Sequence, residues 1–193
     1  MICEAARQLK EGCNIVFPTE TVYGLGAAVF CDEAVLRLYS LKDRSLNKAM
    51  ALHVGDVSQV EFFAKNILPV FYKLTQRYWP GPLTIVLQKK EGVSSAFSQD
   101  ESVAVRCPDH PLFTDLIKEL GQPIVGTSAN LSGAAPCLDA HSASLAFPSL
   151  FVLDGGPCLL KQASTVISLL ELEPRILREG ALPSSEILSF LQK

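Results

Sequence analysis

The sequence predicts an α/β fold built on an open, twisted, mixed sheet flanked by helices. Short apolar runs of strand length alternate along the chain with amphipathic stretches of helical period. Several connections between the apolar runs are too short to hold a crossover helix, which a purely parallel sheet would need. The chain has 193 residues, 48% hydrophobic and 19% charged, and contains no repeat, low-complexity tract or linker-like stretch. A single domain over 1–193 with a sizeable core is therefore expected.

Residues 2–11 read as an amphipathic helix with Ile2, Ala5, Ala6 and Leu9 on one face, stopped by Gly12. Residues 14–17 are a short buried strand, and 18–26 a loop whose glycines permit close backbone approach. Asp32 is placed as the cap of a helix over 32–41, with Val35, Leu36, Leu38 and Leu41 as its apolar stripe, ending at Lys42. A strand follows at 50–54 and a helical stretch at 56–64. Pro69 opens a helix to 78, which the breaker run Trp79-Pro80-Gly81-Pro82 ends. Strands at 83–87 and 103–107 precede a helix over 112–120 stopped by Gly121. The strand 124–126 then runs into a Ser/Asn loop. A helix over 138–147, strands at 150–153, 165–168 and 175–177, and a closing helix from Pro183 to 191 complete the chain.

The net charge of −3 and a pI near 5.6 leave no broad basic field of the kind that drives nonspecific nucleic-acid binding. Phosphate chemistry would need a local basic pocket, and a nucleotide fits that better than a duplex. The six cysteines form no CxxC pair and lack the His spacing of a zinc site, so they read as reduced, mostly buried thiols. Glu4 interrupts the N-terminus and no apolar run reaches about 18 residues. A cytoplasmic protein without a membrane segment is expected.

No GxxxxGK[ST], HExxH, GxSxG or GxGxxG occurs, which removes the usual phosphate-loop, zinc-protease, hydrolase and dinucleotide readings. Two polar signatures stand apart instead. Lys42, Arg44 and Lys48 place three cations within seven residues, suited either to a triphosphate or to a solvated helix end that complements the macrodipole. Thr127-Ser128-Ala129-Asn130 leaves an apolar strand with hydroxyl, amide and backbone donors, and reads equally as a ligand loop or an Asx/Ser turn. Thr19 and Thr21 either satisfy local backbone or face a ligand. Arg106 ends the apolar strand Val103-Ala104-Val105, where an unpaired charge is costly; it must meet a ligand, an internal acid or solvent. His53 ends another apolar run and reads as a structural histidine or a ligand contact. His110 and His141 look like surface or capping residues.

In order, Pro18-Thr19-Glu20-Thr21-Val22-Tyr23-Gly24-Leu25-Gly26, Lys42-Asp43-Arg44, Trp79-Pro80-Gly81-Pro82-Leu83-Thr84, Val105-Arg106, Ser128-Ala129-Asn130-Leu131-Ser132-Gly133, Ser164-Thr165-Val166 and Leu177-Arg178-Glu179-Gly180 resemble the YrdC family of L-threonylcarbamoyladenylate synthases. The resemblance runs from about residue 12 to 182. It implies a YrdC-like fold with a concave basic cavity, and the conversion of L-threonine, bicarbonate and ATP into threonylcarbamoyl-AMP and pyrophosphate, with Mg2+ on the nucleotide. It also implies a downstream transferase complex that modifies tRNA beside the anticodon, and a weak tRNA contact. By position, Lys42, Arg44, Lys48, Ser102, Ser128, Asn130 and Arg178 look like ATP-side contacts, with Lys42, Arg44, Ser128 and Asn130 as the catalytic set. Thr21, His53, Arg106 and Ser164 look like the threonine side, with Thr19 and Thr84 as supporting wall; no residue is implied as a metal ligand or general base.

The chain departs from the family pattern at Lys48-Ala49, where Lys-Pro is usual, and at Ala135-Pro136-Cys137-Leu138. Its extent resembles the short form without an additional C-terminal domain. Two other readings stand beside the synthase: a YrdC-like module that binds RNA without making the adenylate, and a carbamoyltransferase built on a related domain.

Overall fold

The computed structural model describes residues 1–192. Its helices are α1 (Ile2–Lys10), α2 (Asp32–Lys42), α3 (Pro69–Tyr78), α4 (Pro111–Leu120), α5 (Ala140–Ala146) and α6 (Ser184–Leu191). Its strands are β1 (Ile15–Phe17), β2 (Gly24–Ala28), β3 (Ala51–His53), β4 (Ala64–Lys65), β5 (Leu83–Lys89), β6 (Ser102–Arg106), β7 (Ile124–Ser128), β8 (Phe151–Val152), β9 (Thr165–Ser168) and β10 (Arg175–Arg178), with a 3-10 turn at Val57–Phe62. The strands form one sheet in the order β10-β9-β5-β6-β3-β7-β2-β1-β8, with β4 added on β5. β1/β8, β3/β6 and β5/β9 pair parallel, and the other pairings are antiparallel. The sheet is mixed and open, as the short connections require.

Strand alternation divides the apolar residues between two faces. Val16, Leu25, Leu52, Ile85, Val105, Val125 and Ile167 point to a large core that α2, α3 and α6 cover through Val35, Leu38, Phe71, Leu74 and Ile187. Ile15, Phe17, Ala28 and Ile124 point the other way, onto Ala5 and Leu9 of α1 and Phe113, Leu116 and Leu120 of α4. Those two helices cover only the β1, β2 and β7 part of that face. Where their cover stops, the outward residues are small: Gly24 in β2, Gly126 in β7, Ala51 in β3 and Ala104 in β6. The site lies in this hollow.

Several expectations are corrected. Residues 18–26 are not all loop: Gly24–Ala28 forms β2, paired with both β1 and β7. Gly and Ala have poor strand propensity, but space dictates them here. A Cβ on Gly26 would lie 2.5 Å from Ile124 Cγ2 and 2.7 Å from the Phe17 ring, and one on Gly24 would run into the same ring. Asp32 is the first residue of α2 rather than its cap, which is Cys31; its carboxylate still lies in the first turn, where the dipole favours it. The buried face of α2 carries Ala34, Val35, Leu38, Tyr39 and Lys42, while Leu36 is exposed. The 3.6-residue period through Val35 and Leu38 lands on Lys42, so the stripe ends on a cation. Helix α5 is shorter than 138–147 because Asp139 caps it, accepting from Ser142 N at 2.7 Å in a capping box.

Candidate active site

One cross-strand row lays down most of the floor. His53 pairs with Arg106 across β3/β6, and Thr84 lies one step beyond the Ile85–Val105 pair, next to Arg106. Thr84 pairs with Val166, and Val166 with Arg178. Adjacent strands are about 4.8 Å apart, so the row from His53 to Arg178 extends roughly 19 Å over five strands. Residues far apart in sequence are thus brought to one face by register alone.

The hollow is an open-mouthed cavity of about 280 Å³. His53, Thr84, Arg106 and Arg178 line it together with Ser128 and Gly126 of β7. The loop ahead of β2 contributes Thr19 and Tyr23, the segment after α2 contributes Arg44, and the segment ahead of β9 contributes Ser164. Among the described residues three guanidiniums face it and no carboxylate lines it. A larger hollow of about 640 Å³, walled by Phe30, Phe62, Phe63 and Phe97, lies beyond the Ala28–Ile124 end of the strands. It gathers none of the sequence-predicted site residues.

The amino-acid side named by the resemblance is tightly packed. Thr84 Oγ1 and Ser164 Oγ are 2.8 Å apart, and Arg178 Nη2 donates to Ser164 O at 2.7 Å. Gly180 makes this approach possible, since a Cβ there would collide with Ala163 O and the Ser164 backbone. Arg106 Nε donates to Gly81 O at 3.3 Å, and Nη2 lies 2.8 Å from Glu20 Oε1, both side chains being 6% exposed. The breaker run at Gly81 therefore supplies a carbonyl to the site. His53 packs edge-on to Phe17 and Phe113. Burial, reinforced by the Arg106 charge, pushes its pKa down to about 3, so it is a neutral imidazole, with Nδ1 free of any protein partner among the described residues.

Lys42 is neither a solvated helix end nor a side chain lining the cavity. It is buried, and its Nζ donates to Ser128 O, to Asn130 Oδ1 at 3.0 Å and to Ser128 Oγ at 3.4 Å. The two distant polar signatures thus meet. Ser128 Oγ in turn donates to Asn130 Oδ1 at 2.6 Å, and Asn130 Nδ2 holds the Leu131 and Ala134 carbonyls. Desolvation, and then repulsion from Arg44, lowers the Lys42 pKa to about 8. Burial also lowers that of Arg44, and burial with the Arg106 charge lowers that of Arg178. Such a set of under-compensated cations is stabilised by an arriving anion.

Other predicted residues are not on the cavity wall. Lys48 is exposed, and it is its carbonyl that is used, accepting from Arg44 Nε at 3.0 Å. Ser102 shares the face of Ala104 and Arg106 but lies further along β6, two residues beyond Ala104. Thr21 is fully buried behind Thr19, their hydroxyls 2.8 Å apart. Asn130 is off the wall and hydrogen-bonded to Ser128, which is on it. His110 is the residue before α4 and partly buried, while His141 is exposed. Cys107, Cys137 and Cys158 are buried, Cys13 and Cys31 half-buried and Cys3 exposed; burial raises Cys107 and Cys158 to about 11, so both are thiols. Glu20 was given no role by sequence reasoning. Two signals could have found it: it is the single charge between Phe17 and Gly26, and an internal acid is one of the three partners open to Arg106.

A family model described as telomere recombination, that of the Sua5, YciO and YrdC proteins, matches residues 7–180. The chain belongs to the Sua5/YciO/YrdC family. Among curated members, the threonylcarbamoyl-AMP synthase of Pyrococcus abyssi is 40% identical over 95% of this chain and 55% of its own length. That of Bacillus subtilis is 39% identical over 96% of this chain and, again, 55% of its own length. The chain thus spans about half the length of these relatives. The crystal structure of P. abyssi Sua5 complexed with L-threonine superposes with a TM-score of 0.96 at 38% identity, covering 98% of this chain and 57% of that one. The Sua5/YciO/YrdC fold is therefore the fold of this chain.

Proposed function

We propose that this chain is an L-threonylcarbamoyl-AMP synthase, joining L-threonine, bicarbonate and ATP into threonylcarbamoyl-AMP with release of pyrophosphate and water. The observation that carries this reading is the junction of Lys42 with Ser128 and Asn130 beside the Arg106–Thr84–Arg178 row. Through Ser128, which lines the cavity, the buried Lys42–Asn130 cluster adjoins the small polar pocket of that row. Names of relatives at 39–40% identity support the enzyme over an RNA-binding module, and the P. abyssi complex supports threonine as substrate.

In this reading Arg106 takes the threonine carboxylate, the Thr84–Ser164 pair reads the side-chain hydroxyl, and the amine captures bicarbonate or carbon dioxide as a carbamate. A carbamate oxygen attacks the α-phosphorus of ATP, and the P–O bond to pyrophosphate breaks. No covalent enzyme intermediate is needed; the task is to hold charge and geometry as the phosphorus passes through its transition state. Arg44, Arg106 and Arg178 on the wall, with Lys42 buried against Ser128, are the cations that would meet the substrates' negative charge. Each cation about 4 Å from a phosphate charge contributes roughly 4 kcal/mol at an effective dielectric near 20, enough for two or three to organise the triphosphate. Among the described residues the lining offers no carboxylate to hold a metal, so Mg2+ would have to arrive on the nucleotide, where it would supply neutralisation of phosphate charge.

Among the described residues no helix is long and apolar enough to cross a membrane; the reading places the reaction in the cytoplasm, with the whole of 1–193 acting as one domain. The labile product would pass to a transferase complex acting on tRNA. Incubation with labelled bicarbonate tests the reading: label must appear in an acid-labile adenylate that also contains threonine. An adenylate of threonine without the label would refute it.

A further inference from the structure

We propose that Glu20 is a positioning residue for the amino-acid site, acting through Arg106; the inference rests on the synthase reading and deepens it. The Glu20 carboxylate lies behind Arg106, 2.8 Å from Nη2, with both side chains 6% exposed. Gly81 O takes Nε on the other edge of the guanidinium. The two anchors leave Nη1, which makes no hydrogen bond among the described residues, on a side chain that lines the cavity. With Nε bonded to Gly81 O and Nη2 ion-paired to Glu20, the planar guanidinium is oriented by both contacts and keeps N–H groups available as the fork that pairs with a substrate carboxylate.

Glu20 is itself fixed at both ends of the residue. Its carbonyl accepts from Leu160 N at 2.8 Å, which ties it to the segment leading to Ser164. Tyr23 reinforces the same tie, since its hydroxyl donates to Gly156 O at 2.8 Å and accepts from Gly155 N at 3.0 Å. One residue therefore couples the placement of Arg106 to that of Ser164, the two groups assigned to opposite ends of the threonine. Both Glu20 carboxylate oxygens and Arg106 Nη2 are buried with no hydrogen-bond partner among the described residues, so the 2.8 Å contact between them is an ion pair. Desolvating such a carboxylate is costly, and the Arg106 charge 2.8 Å away is what offsets it here.

The test compares Glu20→Gln and Glu20→Asp with the unaltered chain, reading the KM for threonine, the KM for ATP and kcat from pyrophosphate release. Misplacing the guanidinium should raise the threonine KM on the order of tenfold to a hundredfold in Glu20→Gln. The ATP KM and kcat at saturating threonine should stay within about twofold. Glu20→Asp keeps the charge on a shorter stem and should recover part of the loss. Equal threonine KM values in all three proteins, or a fall in kcat alone, would overturn the proposal. Arginine side-chain NMR, with the Arg106 signals assigned through Arg106→Lys, gives a reading independent of activity. Hindered Arg106 Nη rotation should be present in the unaltered chain and in Glu20→Asp and lost in Glu20→Gln; no difference would overturn the proposal. Should the unaltered chain fail to bind threonine in calorimetry, the synthase reading falls, while the NMR result still decides whether Glu20 holds Arg106.

Discussion

Arg44 leaves α2 on a polar segment and spans the gap back to β3, donating to Lys48 O at 3.0 Å and Ala49 O at 2.9 Å while its side chain lines the cavity. Arg44→Ala should lower the synthase rate on the order of a hundredfold, equivalent to about 3 kcal/mol of transition-state stabilisation. A thermal melt should show only a modest loss of stability, ~1–2 kcal/mol from the two backbone contacts. Arg44→Lys keeps the charge but not the fork and should recover part of the rate. Lys42 gives a pH prediction. Its pKa of about 8 lies below the ordinary lysine value, so the stability it contributes is complete only above about pH 10.5 and is lost as pH falls through 8. At neutral pH the buried ammonium is a cost that a phosphate offsets. ATP binding should therefore take up a proton near pH 8–9, visible as a buffer-dependent heat in calorimetry and absent in Lys42→Met. His53, neutral down to about pH 3, should leave no limb near pH 6.5 in the rate profile, and retention of such a limb in the unaltered chain but not in His53→Gln would contradict its burial. These residue types were legible in the sequence, but not the burial of Lys42: one end of a stripe of period 3.6 looks the same whether it enters solvent or a Ser/Asn loop 86 residues away.

Helix α3 and strand β9 have the boundaries that Pro69, the Trp79-Pro80 break and the Thr165–Ser168 apolar run dictate. β2 was hidden because its residues are chosen for the Phe17 ring and Ile124 rather than for strand propensity. The same close-approach logic governs the turn after β10. Gly180→Ala would press a methyl into the Ala163 carbonyl and to 2.5 Å from Thr165 N, a backbone contact that no side-chain rotation relieves. It should cost about 1–3 kcal/mol of stability and displace Ser164 from Arg178, so activity falls further than the melt alone accounts for. Gly92→Ala is the control: its φ of +80 makes the change strained by roughly 1–2 kcal/mol, but nothing lies within 4 Å, and activity should be kept. Comparable activity in the two folded variants would detach the Gly180 crossing from the site.

Across the whole molecule, the site exists because α1 and α4 cover only part of one sheet face, and small residues at Gly24, Ala51, Ala104 and Gly126 keep the remainder hollow. The mixed sheet was legible from connection lengths. The row His53–Arg106–Thr84–Val166–Arg178 was not, because register between non-consecutive strands is written in no single segment. On the proposed reading substrate choice belongs to that assembled row: a pocket built to bond a hydroxyl should reject valine far more strongly than serine, and equal use of the two would remove the hydroxyl-reading role of Thr84 and Ser164. On the proposed reading one cavity joins three substrates. The most direct measurement is pyrophosphate release from ATP with threonine and bicarbonate supplied singly and together. Release that requires both is the predicted result, and ATP turnover that proceeds equally well without threonine would contradict it.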